Sequence, residues 1–146
     1  MHLSEHDESV TLPVHGIREE EIYLHWEDGY NDQKSRAYAD MQYTTEHGAV
    51  CLSVMLTLSL TPYTVIERSR KGTGIDYWLG DNNSLLFQKR ARLEVSGILK
   101  GDVAAMNRRC ASKTEQATQS DGMKLPAYIS VIEFGSPKAL YVKKTL

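Results

Sequence analysis

Residues 71–97 constrain the fold of this chain more than any other stretch. They read Lys-Gly-Thr-Gly-Ile-Asp76-Tyr-Trp-Leu-Gly, then a polar turn, then Arg-Ala-Arg-Leu-Glu94-Val-Ser96-Gly. Gly72 and Gly74 punctuate one end, and the Gly-Asp-Asn-Asn-Ser run at 80–84 is rich in turn formers. Between and after them lie two apolar runs of strand length. This spacing predicts two neighbouring strands, 75–79 and 87–98. Asp76 falls near the start of the first and Glu94 near the end of the second. Adjacent strands can bring two such carboxylates together, and convergent carboxylates suit a hard divalent cation such as Mg²⁺ or Mn²⁺.

The chain of 146 residues is long enough for one domain with a full core. The longest apolar stretch, 49–60, is too short to cross a bilayer and carries Ser53, Thr57 and Ser59, so no membrane partner is expected. The first residues are polar, and no secretory signal is expected. Cys51 and Cys110 form no motif, which makes a reduced, cytoplasmic setting the default expectation.

Charge is unevenly distributed. Residues 1–50 carry eleven acids and three bases, whereas 51–146 carry eight acids and fourteen bases. The basic half points to an anionic partner, with Arg68, Arg70, Lys71, Lys89, Arg90 and Arg92 as the cations to meet nucleic-acid phosphates. The acidic half is expected to dock on a protein partner or on the basic half itself. The plain alternative is two oppositely charged solvated faces.

Along the chain, residues 1–13 read as polar and loose. Residues 19–26 fit a short strand or a helical turn, and 33–43 a helix. At 44–60 the pattern is ambiguous. Strict alternation of Val50, Leu52, Val54, Leu56, Leu58 and Leu60 favours a strand, while the abundance of Leu over β-branched residues suits a helix capped by Thr44 and ended before Pro62. A strand at 63–68 follows, then the two strands above. Asp102 caps a helix running to about residue 119, with Val103, Met106 and Cys110 on one face. Strands at 128–134 and 139–142 finish the chain.

The order helix, three strands, helix, strand, with Gly74-Ile75-Asp76 on the second strand and Leu93-Glu94-Val95-Ser96 on the third, resembles the core of the PD-(D/E)xK nuclease superfamily. The resemblance covers roughly residues 40–135. It implies a restriction-endonuclease-like α/β (α+β) core at 41–146, with a central mixed sheet flanked by helices. Residues 1–40 are then an acidic N-terminal extension of a single domain. It also implies that 44–60 is a helix and that Glu46 near its start joins the site. The implied catalytic set is Asp76, Glu94, Ser96 and Glu46, with Asp76 and Glu94 as metal ligands and Arg70, Lys71, Arg90 and Arg92 as nucleic-acid contacts. The implied activity is Mg²⁺-dependent cleavage of phosphodiesters, of DNA above all, in restriction, repair or phage defence.

In that superfamily a lysine completes the motif by stabilising charge on the phosphate. Ser96 occupies its position here and supplies no charge. Arg92, two residues before Glu94 and on the same strand face, Lys113 on the next helix, and Lys71 are the candidates to replace it. The alternatives are a nuclease fold that binds nucleic acid or a protein partner without cutting, and a protein-interaction module of unrelated α+β fold with no site. Each acid also has an ordinary structural reading: Asp76 as a turn cap, Glu94 as half of an ion pair, Glu46 as a helix-dipole partner.

Overall fold

The computed structural model describes residue 1 and residues 6–27, 29–83 and 88–145. It is an α/β protein whose seven-stranded, strongly curled mixed sheet packs against two main helices. In chain order the elements are β1 (Ser9–Gly16), β2 (Glu20–His25), α1 (Asp32–Ala37), α2 (Met41–Leu60), β3 (Tyr63–Arg68), β4 (Tyr77–Asp81), β5 (Ala91–Ile98), α3 (Val103–Gln116), a 3₁₀ turn (Ala117–Met123), β6 (Ala127–Glu133) and β7 (Lys138–Lys144). Across the sheet the order is β2-β1-β7-β6-β5-β4-β3. The β5–β6 and β1–β7 junctions are parallel and the other four antiparallel. The parallel β5–β6 step needs a crossover, and α3 supplies it.

α2 is a helix, as the resemblance implied. Its cap is Asp40, whose side chain accepts from Tyr43 N, rather than Thr44. The buried residues Ala49, Ser53, Leu56, Thr57 and Leu60 fall at helical spacing. The even-numbered alternation in the sequence arose because apolar residues also populate the flanks of this stripe. The two buried hydroxyls are satisfied across the interface: Ser53 Oγ lies 2.7 Å from Ser130 Oγ, and Thr57 Oγ1 2.8 Å from the Tyr141 hydroxyl. An unpartnered hydroxyl there would cost about 1–3 kcal/mol.

The sheet divides the core by strand alternation. Leu93 and Val95 of β5, Tyr128 and Ile132 of β6 and Tyr141 of β7 pack toward α2. Ile129 and Val131 of β6 pack toward α3 with Trp78, Met106 and Cys110. α3 begins at the expected cap, Asp102, which accepts from Ala105 N. Val103, expected on its buried face, is exposed in the first turn.

The N-terminal segment departs from expectation. Residues 9–16 form a strand that pairs with β7, and Leu12, Val14 and Leu24 are buried. Part of the acidic first half is therefore built into the main sheet and its core. The sequence 33–43 breaks into short α1 and the start of α2 because Asn31 and Asp40 each cap a separate helix. The strand expected from residue 87 is observed from Ala91, and residues 84 and 87 lie outside those described.

Two glycines set the spacing around β5. A Cβ on Gly97 would meet Thr45 O at 2.6 Å, so this glycine lets α2 lie close to the end of β5. Gly74 has φ +71°, and a Cβ there would meet Gln116 O at 2.0 Å. It permits both the left-handed turn before β4 and close contact between that turn and the end of α3.

Candidate functional site

α3 runs antiparallel to β5 over the sheet face carrying Arg92, Glu94 and Ser96. Four helical residues rise about 6 Å and two strand residues about 6.6 Å, so the two repeats stay nearly in step. A polar ladder results. Arg109 Nη1 donates to Ser96 Oγ at 2.8 Å. Lys113 Nζ donates to Glu94 Oε1 at 2.6 Å, joined by Gln116 Nε2 at 2.9 Å. Arg92 Nη1 donates to Ala117 O at 3.0 Å.

Glu94 is the centre of this ladder. Its side chain is fully buried, and its Oε2 has no hydrogen-bond partner among the described residues. Burial pushes its carboxyl up to about 7; the Lys113 ammonium pulls it down, and the charge of the facing Asp76 carboxylate pushes it up. The two acids thus face each other, as the strand pairing required. Asp76 is held from both sides. Its N–H donates to Leu93 O at 3.0 Å, and its Oδ2 accepts from Val95 N at 2.8 Å.

Asp76 opens onto a cleft of about 530 Å³ between α2, β4, β5 and α3, with Glu46, Arg68, Ser96, Arg109 and Lys113 also in its wall. Asp76, Ser96 and Glu46 therefore share one cleft, with Glu94 buried behind Asp76. Glu46 is exposed in the second turn of α2, past the first turn where a dipole role applies, and among the described residues its one hydrogen-bond partner is Gln42 of its own helix.

The cations separate sharply. Arg92 is 0% exposed and spends its guanidinium on Ala117 O, Leu125 O, Ser120 Oγ and Asp121 Oδ1. It cannot contact nucleic acid, and it points away from Glu94 toward the 3₁₀ turn. Both its assignment as a phosphate contact and its candidacy to replace the motif lysine are corrected on this ground. Asp121, bridged to Lys144 and Arg92, is held below the usual carboxylate range by those cations. Arg90 pairs with Asp81 at 3.2 Å at the far end of β4, and Lys89 lies 4.5 Å over the Trp78 ring, both away from the cleft. Arg70 and Lys71 are exposed in the turn before Asp76. Lys113 alone among the three candidates to replace the motif lysine contacts an acid of the pair.

Arg109 and Gln116 had not been singled out from sequence. Their signal is the i, i+4, i+7 polar stripe Arg109, Lys113, Gln116 alongside the apolar face of α3.

Among the described residues, no group of three or more His, Cys, Asp or Glu side chains comes together in a way that could hold a metal ion. A cation here would be bound by the Asp76–Glu94 pair, with water and substrate oxygens completing its shell. Mg²⁺ accepts such a site, since it keeps several waters and needs only one or two carboxylates. The residues offer that role two facing acids, and Glu94 Oε2 lacks a hydrogen-bond partner among the described residues. Among the described residues, no helix is long and apolar enough to cross a membrane. No family model, curated protein or solved structure matches the chain.

Proposed function

We propose that the chain is a metal-dependent, nuclease-like protein of the PD-(D/E)xK kind that acts on nucleic-acid phosphodiesters. The order α2-β3-β4-β5-α3-β6, with its parallel β5–β6 crossover, supports a restriction-endonuclease-like core. The observation that carries the reading is the buried Glu94 carboxyl, facing Asp76, paired with Lys113 and left with one unpartnered oxygen. Asp76 and Glu94 would hold Mg²⁺ or Mn²⁺, which when bound would lower the pKa of a water and offset charge on the phosphate.

The protein's own residues do the rest. The Val95 N–H fixes the Asp76 carboxylate. Lys113 takes the place of the lysine absent at position 96 and stabilises negative charge developing on the phosphate. Ser96 anchors Arg109 at the wall of the cleft.

Ser96 also favours a second reading, a nuclease-fold subunit that binds nucleic acid or a protein partner without cutting. In that case the Lys113–Glu94 pair is purely structural. The acidic segment of Glu19, just before edge strand β2, and Glu20 and Glu21 on it is then the surface for a protein partner, although charges there also guard an open sheet edge.

Thermal unfolding with added Mg²⁺ or Mn²⁺ tests the metal pair. The melting temperature should rise by linkage, and Asp76→Ala should abolish the rise. Equal shifts in wild type and variant would remove the pair as a metal site.

A further inference from the structure

Beside the two acids, the cleft presents a second chemistry. Tyr43 and His47, one turn apart on α2, line it, with ring centroids 4.0 Å apart and planes inclined by 34°. Tyr43 is 48% exposed, so His47 backs its ring while much of it stays open. Arg109 and Arg68 lie in the same cleft. Ser96 Oγ is the one acceptor bonded to Arg109 among the described residues, and no carboxylate there pairs with either arginine. Arginine carries five donors. An anchored guanidinium with unmatched donors is suited to a phosphate.

We propose that this cleft binds a single-stranded segment of nucleic acid, with Arg109 and Arg68 on its phosphates and an unpaired base stacked on Tyr43. This inference rests on the reading of the cleft as a nucleic-acid site and narrows its substrate class. A ring platform inside a cleft can take a base only through an open π-face. In a duplex those faces are covered by neighbouring base pairs, whereas a single strand offers them freely. The volume of about 530 Å³ lies within the range of a small-ligand pocket, room enough for an unpaired base. DNA and RNA single strands share this chemistry.

The test is fluorescence anisotropy with labelled oligo-dT, oligo-rU and a DNA duplex of equal length, with chelator present so that no divalent metal contributes. At least one single strand should bind about tenfold or more tighter than the duplex. Tyr43→Leu, a half-exposed position where folding is checked by circular dichroism, should weaken that binding by about 5- to 100-fold. Arg109→Ala should weaken it and reduce the log–log salt slope by about 0.7, and Arg109→Lys should restore the slope.

Duplex binding as tight as that of the tighter-bound single strand, absence of binding to both single strands, or folded Tyr43→Leu and Arg109→Ala proteins with unchanged affinity would overturn the proposal. Its failure is separable from that of the nuclease reading. Single-strand preference without cleavage would leave a binding subsite and remove the activity. Cleavage confined to duplexes without single-strand preference would do the reverse.

Discussion

The Lys113 ammonium stands 2.6 Å from Glu94 Oε1, bringing a cation from α3 to an acid on β5 that has no lysine two residues further on. Ser96 is 6% exposed and already bonded to Arg109, so the space beside it is filled by a cation from the helix.

If Lys113 stands in for the motif lysine, its charge can be moved back to position 96. Ser96→Lys alone should destabilise the fold by about 1–3 kcal/mol, because it overpacks a buried position and sets a third cation beside Arg109 and Lys113. Lys113→Ala should abolish cleavage, and Lys113→Ser with Ser96→Lys should recover part of it. Denaturant titrations establish folding, and cleavage rates then show whether activity follows the position of the lysine.

The Glu94 carboxyl makes stability depend on pH. Its folded pKa, about 7, lies above its ordinary value of 4.5, so the folded state holds more protons than the unfolded state between those limits. Stability should therefore fall as pH rises from about 4.5 to about 7 and level off above. Glu94→Gln should flatten that slope. Lys113→Ala should steepen it and extend it to higher pH, since the ammonium is what lowers the Glu94 pKa. Melting temperatures across this range, in chelator, check both signs.

Arg92 yields a prediction of the opposite kind. It holds the 3₁₀ turn to β5 through buried carbonyls and Asp121, so Arg92→Ala should cost about 3–5 kcal/mol in urea unfolding. Nucleic-acid affinity per folded molecule should stay unchanged. Arg109→Ala should show the reverse pattern, with little loss of stability and a clear loss of affinity.

Much of the second half was legible in the sequence because its turns carry Gly, Asp and Asn and its helix carries a capping Asp102. Asp76 and Glu94 were placed together by strand order alone. Less legible was whatever depends on distant partners. β1 contains polar residues and a proline; it pairs along most of its length with neighbouring β2, and its end is tied to β7, over 120 residues away. Arg92 shares a strand face with Glu94, as period-2 alternation requires. Its long side chain nevertheless reaches the acceptors of residues 117–125, which no local pattern reveals. The role of Arg109 was hidden for the same reason, since only the antiparallel stacking of α3 on β5 sets it against Ser96.

The central claim is tested most directly by cleavage of labelled single-stranded and duplex DNA and RNA in Mg²⁺ or Mn²⁺ by folded wild type, Asp76→Ala and Lys113→Ala proteins. The account predicts metal-dependent cutting of at least one substrate by wild type, and loss of about 10²-fold or more in each variant. Wild type that binds metal and nucleic acid yet cuts none of them, or cutting that survives both substitutions, would contradict it.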